Sequence, residues 1–392
     1  MTGPHAFDST DSGAQMWPNP GPNPGPGYLD AVGGQPVLPV ATRALVAALD
    51  QGWSDPARLH HQGRRAGLVL DTARAAIAGF LEVPAAMCFV GSSGSDVLRA
   101  AVMGLFEART ADGAPPRILI GATESMAVVF AARACSGAEV VTVPVDRTGR
   151  VELAAFGAEL ARGAAVVCIQ QANAEVGTVQ PVAEIHAACR AAGVPMVSDA
   201  VQVAGHRPLG QAWDTAVVVP RDWGGPSGCA VLAVKPDIRW RPPEAPDRGW
   251  VGGFPDIAAV AAAASAAEYV GPHWEQQARV HYEMIDRIRR TASTWPGVSA
   301  VGDPIERLPH IVTLVAEDVI GEAVVTELDK HTIAVASGSA CTADSRMPSH
   351  VLEAMGISTT GSLRVSLPYG CTHDTIEAFL STAPGILEQA RG

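Results

Sequence analysis

The chain has 392 residues, which is long enough for one large α/β core with a smaller second domain. A hydrophobic content of 47% is typical of a well-buried globular protein and argues against intrinsic disorder. The formal net charge of −12 argues against a nucleic-acid partner, because binding to phosphate backbones depends on clustered lysine and arginine.

The first 27 residues are predicted to form a mobile tail. Proline and glycine dominate the run from Pro18 to Gly27, which can form neither a helix nor a strand ladder. An ordered, extended arm is the alternative interpretation. No basic start followed by an apolar core occurs at Met1, so we predict no signal peptide.

From Tyr28 onward, helical and strand patterns alternate along the chain. Apolar residues at helical spacing predict helices over 40–50 and 64–81. Short apolar runs predict strands at 118–120, 139–143, 165–169, 195–198, 216–219 and 230–234. Apolar strands that alternate with helices indicate an α/β protein with a mostly parallel sheet covered on both faces.

An alanine-rich helix from Ile257 leads into a second α+β unit. Its apolar run, 257–267, is about half of the length that a membrane span needs, so we expect no membrane and a cytoplasmic protein. Strands are predicted near 311–315 and 333–336, with a closing helix from His373. The predicted parts are the tail 1–27, a large domain 40–262, and a small α+β domain formed by 28–39 with 263–392.

Lysine and cysteine usage narrows the possible chemistry. Only Lys235 and Lys330 can provide a lysine amine. The seven cysteines are scattered and include no C-x-x-C pair, so we predict neither a disulfide framework nor a metal site.

Several short motifs occur in order between Tyr28 and the C-terminus. They are 28–30 with Pro36, 55–60 with Gly63, 144–146 with Gly149, 175–181, 199–202, 336–341, 348–352 and 362–366. Together this series resembles the cysteine desulfurase family, which are class V aminotransferases of fold type I. The resemblance implies a large domain with a mostly parallel seven-stranded sheet, a smaller α+β domain, and a homodimer with pockets at its interface.

The resemblance implies a pyridoxal-phosphate pocket that is kept only in part. Asp199 stands at the position of the aspartate that binds the pyridine nitrogen, and Gln202 at that of a side chain reaching the ring oxygen. A short run precedes a predicted helix, so its N–H groups are expected to meet an anion. This run, called the serine turn below, consists of Ser92, Ser93, Gly94 and Ser95.

The position of the family's lysine carries an acid. The family motif S-x-H-K-x-x-G-P-x-G aligns with 219–228, which places Arg221 at the histidine and Asp222 at the lysine. A carboxylate cannot form the covalent link and repels a phosphate dianion. Ser125 and Ala174 stand where a stacking histidine and an asparagine are implied. We therefore expect no cofactor, with pyridoxal phosphate, bound non-covalently or through an unexpected lysine, as the alternative.

The sulfur loop and the carboxylate clamp of the family are kept. Residues 336–341 resemble the loop with the persulfide cysteine, which implies Cys341 as the catalytic thiol. Residues 362–366 resemble the segment whose arginine clamps the substrate carboxylate, so Arg364 is expected to bind the ligand, together with Arg221 and Asp222. The alternatives are that Cys341 is a chance survivor and that Arg364 belongs to a structural ion pair.

Three functions follow from this pattern. The first is a desulfurase relative without covalent pyridoxal phosphate, which handles sulfur or an amino-acid-like ligand through Cys341 and Arg364 as a cofactor-independent sulfur transferase or lyase. A sulfur donor or acceptor protein is then expected as a partner. The second is a non-catalytic partner of itself or of an active desulfurase. The third is a cysteine desulfurase or C–S lyase that depends on pyridoxal phosphate.

Overall fold

Two β-sheets organise the molecule. The structure is a computed structural model that describes residues 25, 27–242, 249–254, 256–337 and 348–391. Most of the predicted tail lies outside these residues, as does the segment 338–347 with Cys341. Within the described residues, no helix is both long enough and apolar enough to cross a lipid bilayer.

The larger sheet has seven strands. They are β1 (Cys88–Gly91), β2 (Arg117–Gly121), β3 (Glu139–Val143), β4 (Val166–Gln170), β5 (Met196–Asp199), β6 (Thr215–Val218) and β7 (Ala230–Val234). Their order across the sheet is β1-β7-β6-β5-β4-β2-β3. Only β7 runs against its neighbours, β6 and β1, and all other pairs are parallel. The predicted mostly parallel seven-stranded sheet is therefore confirmed.

Helices cover this sheet because its central strands are buried on both faces. They are α1 (Pro39–Gln51), α2 (His61–Phe80), α3 (Gly94–Ala111), α4 (Met126–Arg133), α5 (Leu153–Ala161), α6 (Val182–Ala191) and α7 (Ile257–Val270). Helix α7 packs on α1 and α2. Its alanines are buried around most of the helix, because it lies inside a helical layer and not on the surface.

The smaller sheet is antiparallel. Its strands are β8 (Val298–Val301), β9 (Ile311–Ala316), β10 (Ala336–Ser337) and β11 (Ser362–Ser366), in the order β10-β11-β9-β8. Its helices are α8 (Trp274–Ala292), α9 (Gly321–Lys330), α10 (His350–Ala354) and α11 (His373–Arg391). The strand expected at 333–336 is shifted, because Ala334 pairs with Tyr28 of the opening segment and not with the sheet.

The topology brings several loop segments to one edge of the larger sheet. Strands β4, β5 and β6 run parallel, so the residues at their carboxyl ends lie side by side. Strand β1 points the same way, since it is antiparallel to β7, which is antiparallel to β6. The serine turn follows β1 and therefore lies at this edge too. Ligands of open α/β sheets bind at such carboxyl edges.

Candidate functional site

A cavity of about 370 Å³ lies at this carboxyl edge and is called the edge cavity below. It gathers all eight residues of the expected cofactor pocket, together with Arg221. The eight are Ser92, Ser93, Gly94, Ser95, Ser125, Ala174, Asp199 and Gln202. They come from distant parts of the sequence and meet because strands β1, β4 and β5 end at the same edge.

Asp199 provides a buried carboxylate on the wall of the edge cavity. It is the last residue of β5 and is 8% exposed. Its carboxylate accepts hydrogen bonds from the Ser125 hydroxyl at 2.9 Å and from the Val201 N–H at 3.1 Å. Burial raises the pKa of Asp199, and these two hydrogen bonds lower it in part. The side chain is thus held in one orientation at the cavity.

The serine turn forms the start of α3. Ser93 is the N-cap, and its side chain accepts a hydrogen bond from the Asp96 N–H at 3.2 Å. Gly94 is required for packing, because a Cβ there would lie 2.9 Å from the Val219 side chain. The first N–H groups of a helix and its dipole favour an anion at this end.

The turn after β6 is a 3-10 helix, Pro220–Trp223, fixed by its last residue. Trp223 is fully buried, and its indole N–H donates to the Ala263 carbonyl at 3.1 Å. Gly224 follows with φ of 79°, a left-handed conformation that favours glycine. Arg221 in this turn lines the edge cavity, and its buried Nε has no hydrogen-bond partner among the described residues.

Asp222 lies one layer behind the wall of the edge cavity. It is 3% exposed, and its buried Oδ2 has no hydrogen-bond partner within the described part of the chain. Burial raises its pKa to about 7, and the charge of Asp199 adds to this effect. The charge of Arg221 and a hydrogen bond from Gln202 lower the pKa in part. Asp222 therefore interacts with three residues that line the cavity, Arg221, Asp199 and Gln202.

Stacked aromatic rings lie on the other side of Asp222. The His206 ring hydrogen-bonds the main chain of Asp222 and stacks on His310, with ring centroids 3.6 Å apart. Tyr369 stacks on His206 at 5.3 Å, and His281 lies 6.4 Å from His310. All three histidines are at most 3% exposed. The turn at Asp222 is thus supported by rings from segments that adjoin strands of both sheets.

Both lysines of the chain are engaged away from the edge cavity. Lys235 follows β7, its Nζ donates to the Gln211 carbonyl at 2.8 Å, and it lies 4.9 Å from the Trp213 ring centroid. Lys330 pairs with Glu327 at 2.6 Å, and its side chain is 65% exposed. Because both lie within the described residues, no lysine amine lines this cavity.

Arg364 does not line the edge cavity. It lies on β11, is 9% exposed, and donates from Nη2 to Asp30 at 3.0 Å, while its buried Nε has no hydrogen-bond partner among the described residues. The charge of Arg364 also acts on Tyr28. Burial and the charge of Asp30 raise the pKa of Tyr28, and the charges of Arg221 and Arg364 lower it in part. Arg221 and Arg364 are therefore both near Tyr28.

A second buried acid lies close to Arg364. Glu175 accepts a hydrogen bond from the Ser349 hydroxyl at 2.8 Å. Burial raises the pKa of Glu175 to about 7, and the bond from Ser349 and the charge of Arg364 lower it in part. Cys341 lies in the segment between β10 and Ser349, outside the described residues.

The sequence reasoning missed three polar residues of the edge cavity. Gln170, Ser227 and Cys229 also line it. Gln170 was recognisable as the polar residue that ends the apolar run of β4, whereas Ser227 and Cys229 carry no signal beyond their place in the 219–228 motif. In the described part of the chain, no group of three or more His, Cys, Asp or Glu side chains is arranged to hold a metal ion.

The chain is similar to known proteins in both sequence and fold. Residues 27–379 match the Aminotransferase class-V family. The cysteine desulfurase of Cereibacter sphaeroides is 30% identical over 381 residues, covering 93% of this chain and 96% of that protein. The IscS-like cysteine desulfurase of Mycobacterium tuberculosis is 32% identical over 383 residues, covering 93% and 97%. A NifS-like protein from Rickettsia africae shares the fold, with a TM-score of 0.82, 23% identity, and coverage of 92% and 99%.

These matches overturn one expectation. We expected no cofactor, but the family that the chain matches depends on pyridoxal phosphate, so that expectation is wrong. The residues of the edge cavity fit the ring and phosphate of this cofactor, with Asp199 for the pyridine nitrogen and the serine turn and Arg221 for the phosphate. Among the described residues, none that lines the cavity is a lysine, and both lysines of the chain are engaged elsewhere.

Proposed function

Because the chain belongs to the class-V aminotransferase family and is similar to cysteine desulfurases over most of its length, we propose that it binds pyridoxal phosphate without a covalent link. In the edge cavity, the protein acts on an amino-acid-like, sulfur-bearing ligand. The observation that carries this proposal is the edge cavity, which unites Asp199, the serine turn and Arg221 while both lysines are engaged elsewhere.

Each wall of the edge cavity has a role in holding the cofactor. Asp199 holds a proton at the pyridine nitrogen, and Ser125 keeps the Asp199 carboxylate in place. The N–H groups of the serine turn and the guanidinium of Arg221 bind the phosphate. When bound, pyridoxal phosphate supplies an electron sink that stabilises negative charge on the carbon next to the substrate amine.

Arg364 is proposed to bind the carboxylate of the ligand. Asp30 accepts a hydrogen bond from Nη2 of its guanidinium, and the buried Nε has no hydrogen-bond partner among the described residues, so the guanidinium retains donors for a ligand. A guanidinium edge binds a carboxylate through two parallel hydrogen bonds. The charges of Arg364 and Arg221 both act on Tyr28. This supports a ligand position between the two arginines.

Cys341 is proposed to accept sulfur from the ligand. Its thiolate would attack the ligand sulfur, so that an S–S bond forms as the C–S bond breaks, and the electron pair of the broken bond would remain on the ligand carbon, which takes up a proton. Support comes from the family resemblance and from the two flanks of its segment. Before the segment, Ser337 pairs with Leu363, next to Arg364 in the sheet. After it, Ser349 is bonded to Glu175, which lies near Arg364. Both flanks are therefore close to the proposed carboxylate clamp.

The proposal is tested by titrating the purified chain with pyridoxal phosphate and following absorbance and tryptophan fluorescence. We expect saturable binding that is lost when the sample passes through a desalting column. Loss of binding after removal of free cofactor distinguishes a non-covalent complex from a tethered one. Absence of any binding would contradict the proposal and favour a non-catalytic partner of a desulfurase.

We also propose a homodimer, since the family resemblance implies one with pockets at the interface. Sedimentation equilibrium of the full chain measures this directly. A mass near twice that of the 40.5 kDa chain is expected, and a monomer at micromolar concentration would contradict it.

A further inference from the structure

The family resemblance implies a lysine at position 222, where this chain carries the acid Asp222. Asp222 is buried beside Asp199, another buried acid, and each carboxylate disfavours the charge of the other. Among the described residues, Arg221 is the cation whose charge acts on Asp222, and it also lines the edge cavity where the phosphate is proposed to bind. Once Arg221 is engaged by a phosphate, Asp222 has less positive charge to offset its own.

We propose that the edge cavity selects the amine form of the cofactor, pyridoxamine phosphate, over the aldehyde form, and that Asp222 is the acid that balances the ligand's ammonium group. This inference rests on the proposed function, because it concerns which form of the cofactor the same cavity holds. The two forms share the ring and the phosphate, so Asp199, the serine turn and Arg221 serve both equally well.

The preference follows from complementary chemical groups. An aldehyde suits a cavity that offers an amine, since the two can react, whereas a cavity with no lysine amine and with a buried acid just behind its wall suits a ligand that brings an amine. Asp222 has an Oδ2 without a hydrogen-bond partner among the described residues, and such a buried oxygen costs free energy. An ammonium group nearby offsets that cost and favours the ionised acid.

Gln202 lies between Asp222 and the edge cavity. Its side chain lines the edge cavity and also hydrogen-bonds Asp222. The acid is therefore separated from the cavity by a single polar side chain, within the range where charges in a protein interior interact. The other groups around Asp222 are His206, whose ring bonds its main chain, and Tyr369.

The test compares three ligands that differ only at one substituent of the ring. Pyridoxamine phosphate carries an ammonium there, pyridoxine phosphate a neutral hydroxyl of similar size, and pyridoxal phosphate the aldehyde. Each is titrated into the full-length protein by fluorescence and by calorimetry, at pH 8. We expect pyridoxamine phosphate to bind about tenfold or more tightly than pyridoxine phosphate, as one buried charge pair would produce.

Asp222→Asn tests the residue itself with almost no change of shape. We expect the tenfold preference for the amine to disappear, while the affinity for pyridoxine phosphate stays the same and so reports an intact cavity. Asp214→Asn is the matched control, because Asp214 is an equally buried acid that precedes β6, at the opposite end of the strand. It should leave the preference unchanged.

A pH series gives an independent measurement on the unmodified protein. Burial raises the pKa of Asp222 to about 7, so the carboxyl becomes neutral as pH falls through this value. The affinity for pyridoxamine phosphate divided by that for pyridoxine phosphate should therefore decrease below pH 7. Titration of the ligand phosphate affects both ligands equally and cancels in this ratio.

Equal affinities at pH 8, or a preference that survives Asp222→Asn, would overturn the inference and leave the proposed function intact. If none of the three ligands binds, the proposed function fails and the inference fails with it. The two failures are thus distinguishable.

Discussion

The Ser125 hydroxyl donates a hydrogen bond to the Asp199 carboxylate at 2.9 Å. The same oxygen caps α4 by accepting from the Val128 N–H at 3.4 Å. The family resemblance implies a stacking histidine at this position, and the serine that stands here orients the Asp199 carboxylate through a hydrogen bond. The orientation of the Asp199 carboxylate therefore depends on Ser125, which is itself held at the N-terminus of α4.

Ser125→Ala should weaken pyridoxal-phosphate binding about three- to tenfold, because a net hydrogen bond contributes about 0.5–1.5 kcal/mol. Stability should decrease by about 1 kcal/mol, since the helix cap is lost as well. Fluorescence titration and urea denaturation measure the two effects. Ser293→Ala, whose hydroxyl bonds only the Arg290 carbonyl in its own helix region, is the control. Unchanged affinity in Ser125→Ala would refute the orienting role.

Arg221→Gln should reduce pyridoxal-phosphate affinity by about tenfold or more, because a charge-assisted hydrogen bond to phosphate is removed. Competition by inorganic phosphate should weaken in parallel, which separates the phosphate contact from the ring contacts. Arg239→Gln is the matched control, since Arg239 pairs with Asp112 on the surface. If both variants bind the cofactor equally well, Arg221 does not hold the phosphate.

Asp222→Asn should change stability in a pH-dependent way. The folded pKa of Asp222 is raised to about 7 from 3.8, so folding favours the protonated acid and the native state loses stability as pH rises from about 4 to 7. The variant removes this loss. It should match the unmodified protein at pH 4 and exceed it at pH 8 by about 4 kcal/mol.

The measurement is urea denaturation of both proteins at a series of pH values. A difference that is constant with pH would show that Asp222 does not titrate between 4 and 7 in the folded state. Asp214→Asn provides the comparison for loss of a buried acid that is fully hydrogen-bonded.

The buried histidines should make the protein sensitive to acid. Burial lowers the pKa of His206 to about 3 and that of His281 to about 4, and it lowers the pKa of His310 as well. A base with a lowered folded pKa is protonated first in the unfolded chain, so stability falls as pH decreases below about 6.5. Each histidine contributes a slope of up to about 1.4 kcal/mol per pH unit.

His281→Gln should reduce this slope between pH 6 and 4, because one titrating ring is removed. The exposed His331→Gln should leave it unchanged. Denaturation at four or five pH values distinguishes these outcomes. A slope that is the same in His281→Gln as in the unmodified protein would mean that His281 is already protonated in the folded state.

Much of the fold was predictable from sequence because its signals are local. The apolar runs of the buried parallel strands and the 3.6-residue spacing of α1 and α2 are read directly from neighbouring residues. The placement of the serine turn and Asp199 in one pocket was also predictable, from the motifs that carry the family resemblance. The strand near 333 was misplaced because its partner, Tyr28, is about 300 residues away in the chain.

Other features depend on contacts that no local pattern encodes. The stack of His206, His310 and Tyr369 joins three distant segments. The pairing of Arg364 with Asp30 joins residues from opposite ends of the chain. Asp222 was expected among the ligand-binding residues, and the structure places it in the buried layer next to Arg221 and Gln202, which line the cavity. Such placements follow from tertiary packing alone.

The claim on which the rest depends is that pyridoxal phosphate binds here without a tether. Borohydride reduction of the protein saturated with pyridoxal phosphate, followed by peptide mass spectrometry, tests it, with Asp222→Lys as the positive control. We expect no modified lysine in the unmodified protein and a phosphopyridoxyl group at position 222 in the variant. A stoichiometric adduct on Lys235 or Lys330 of the unmodified protein would contradict the account.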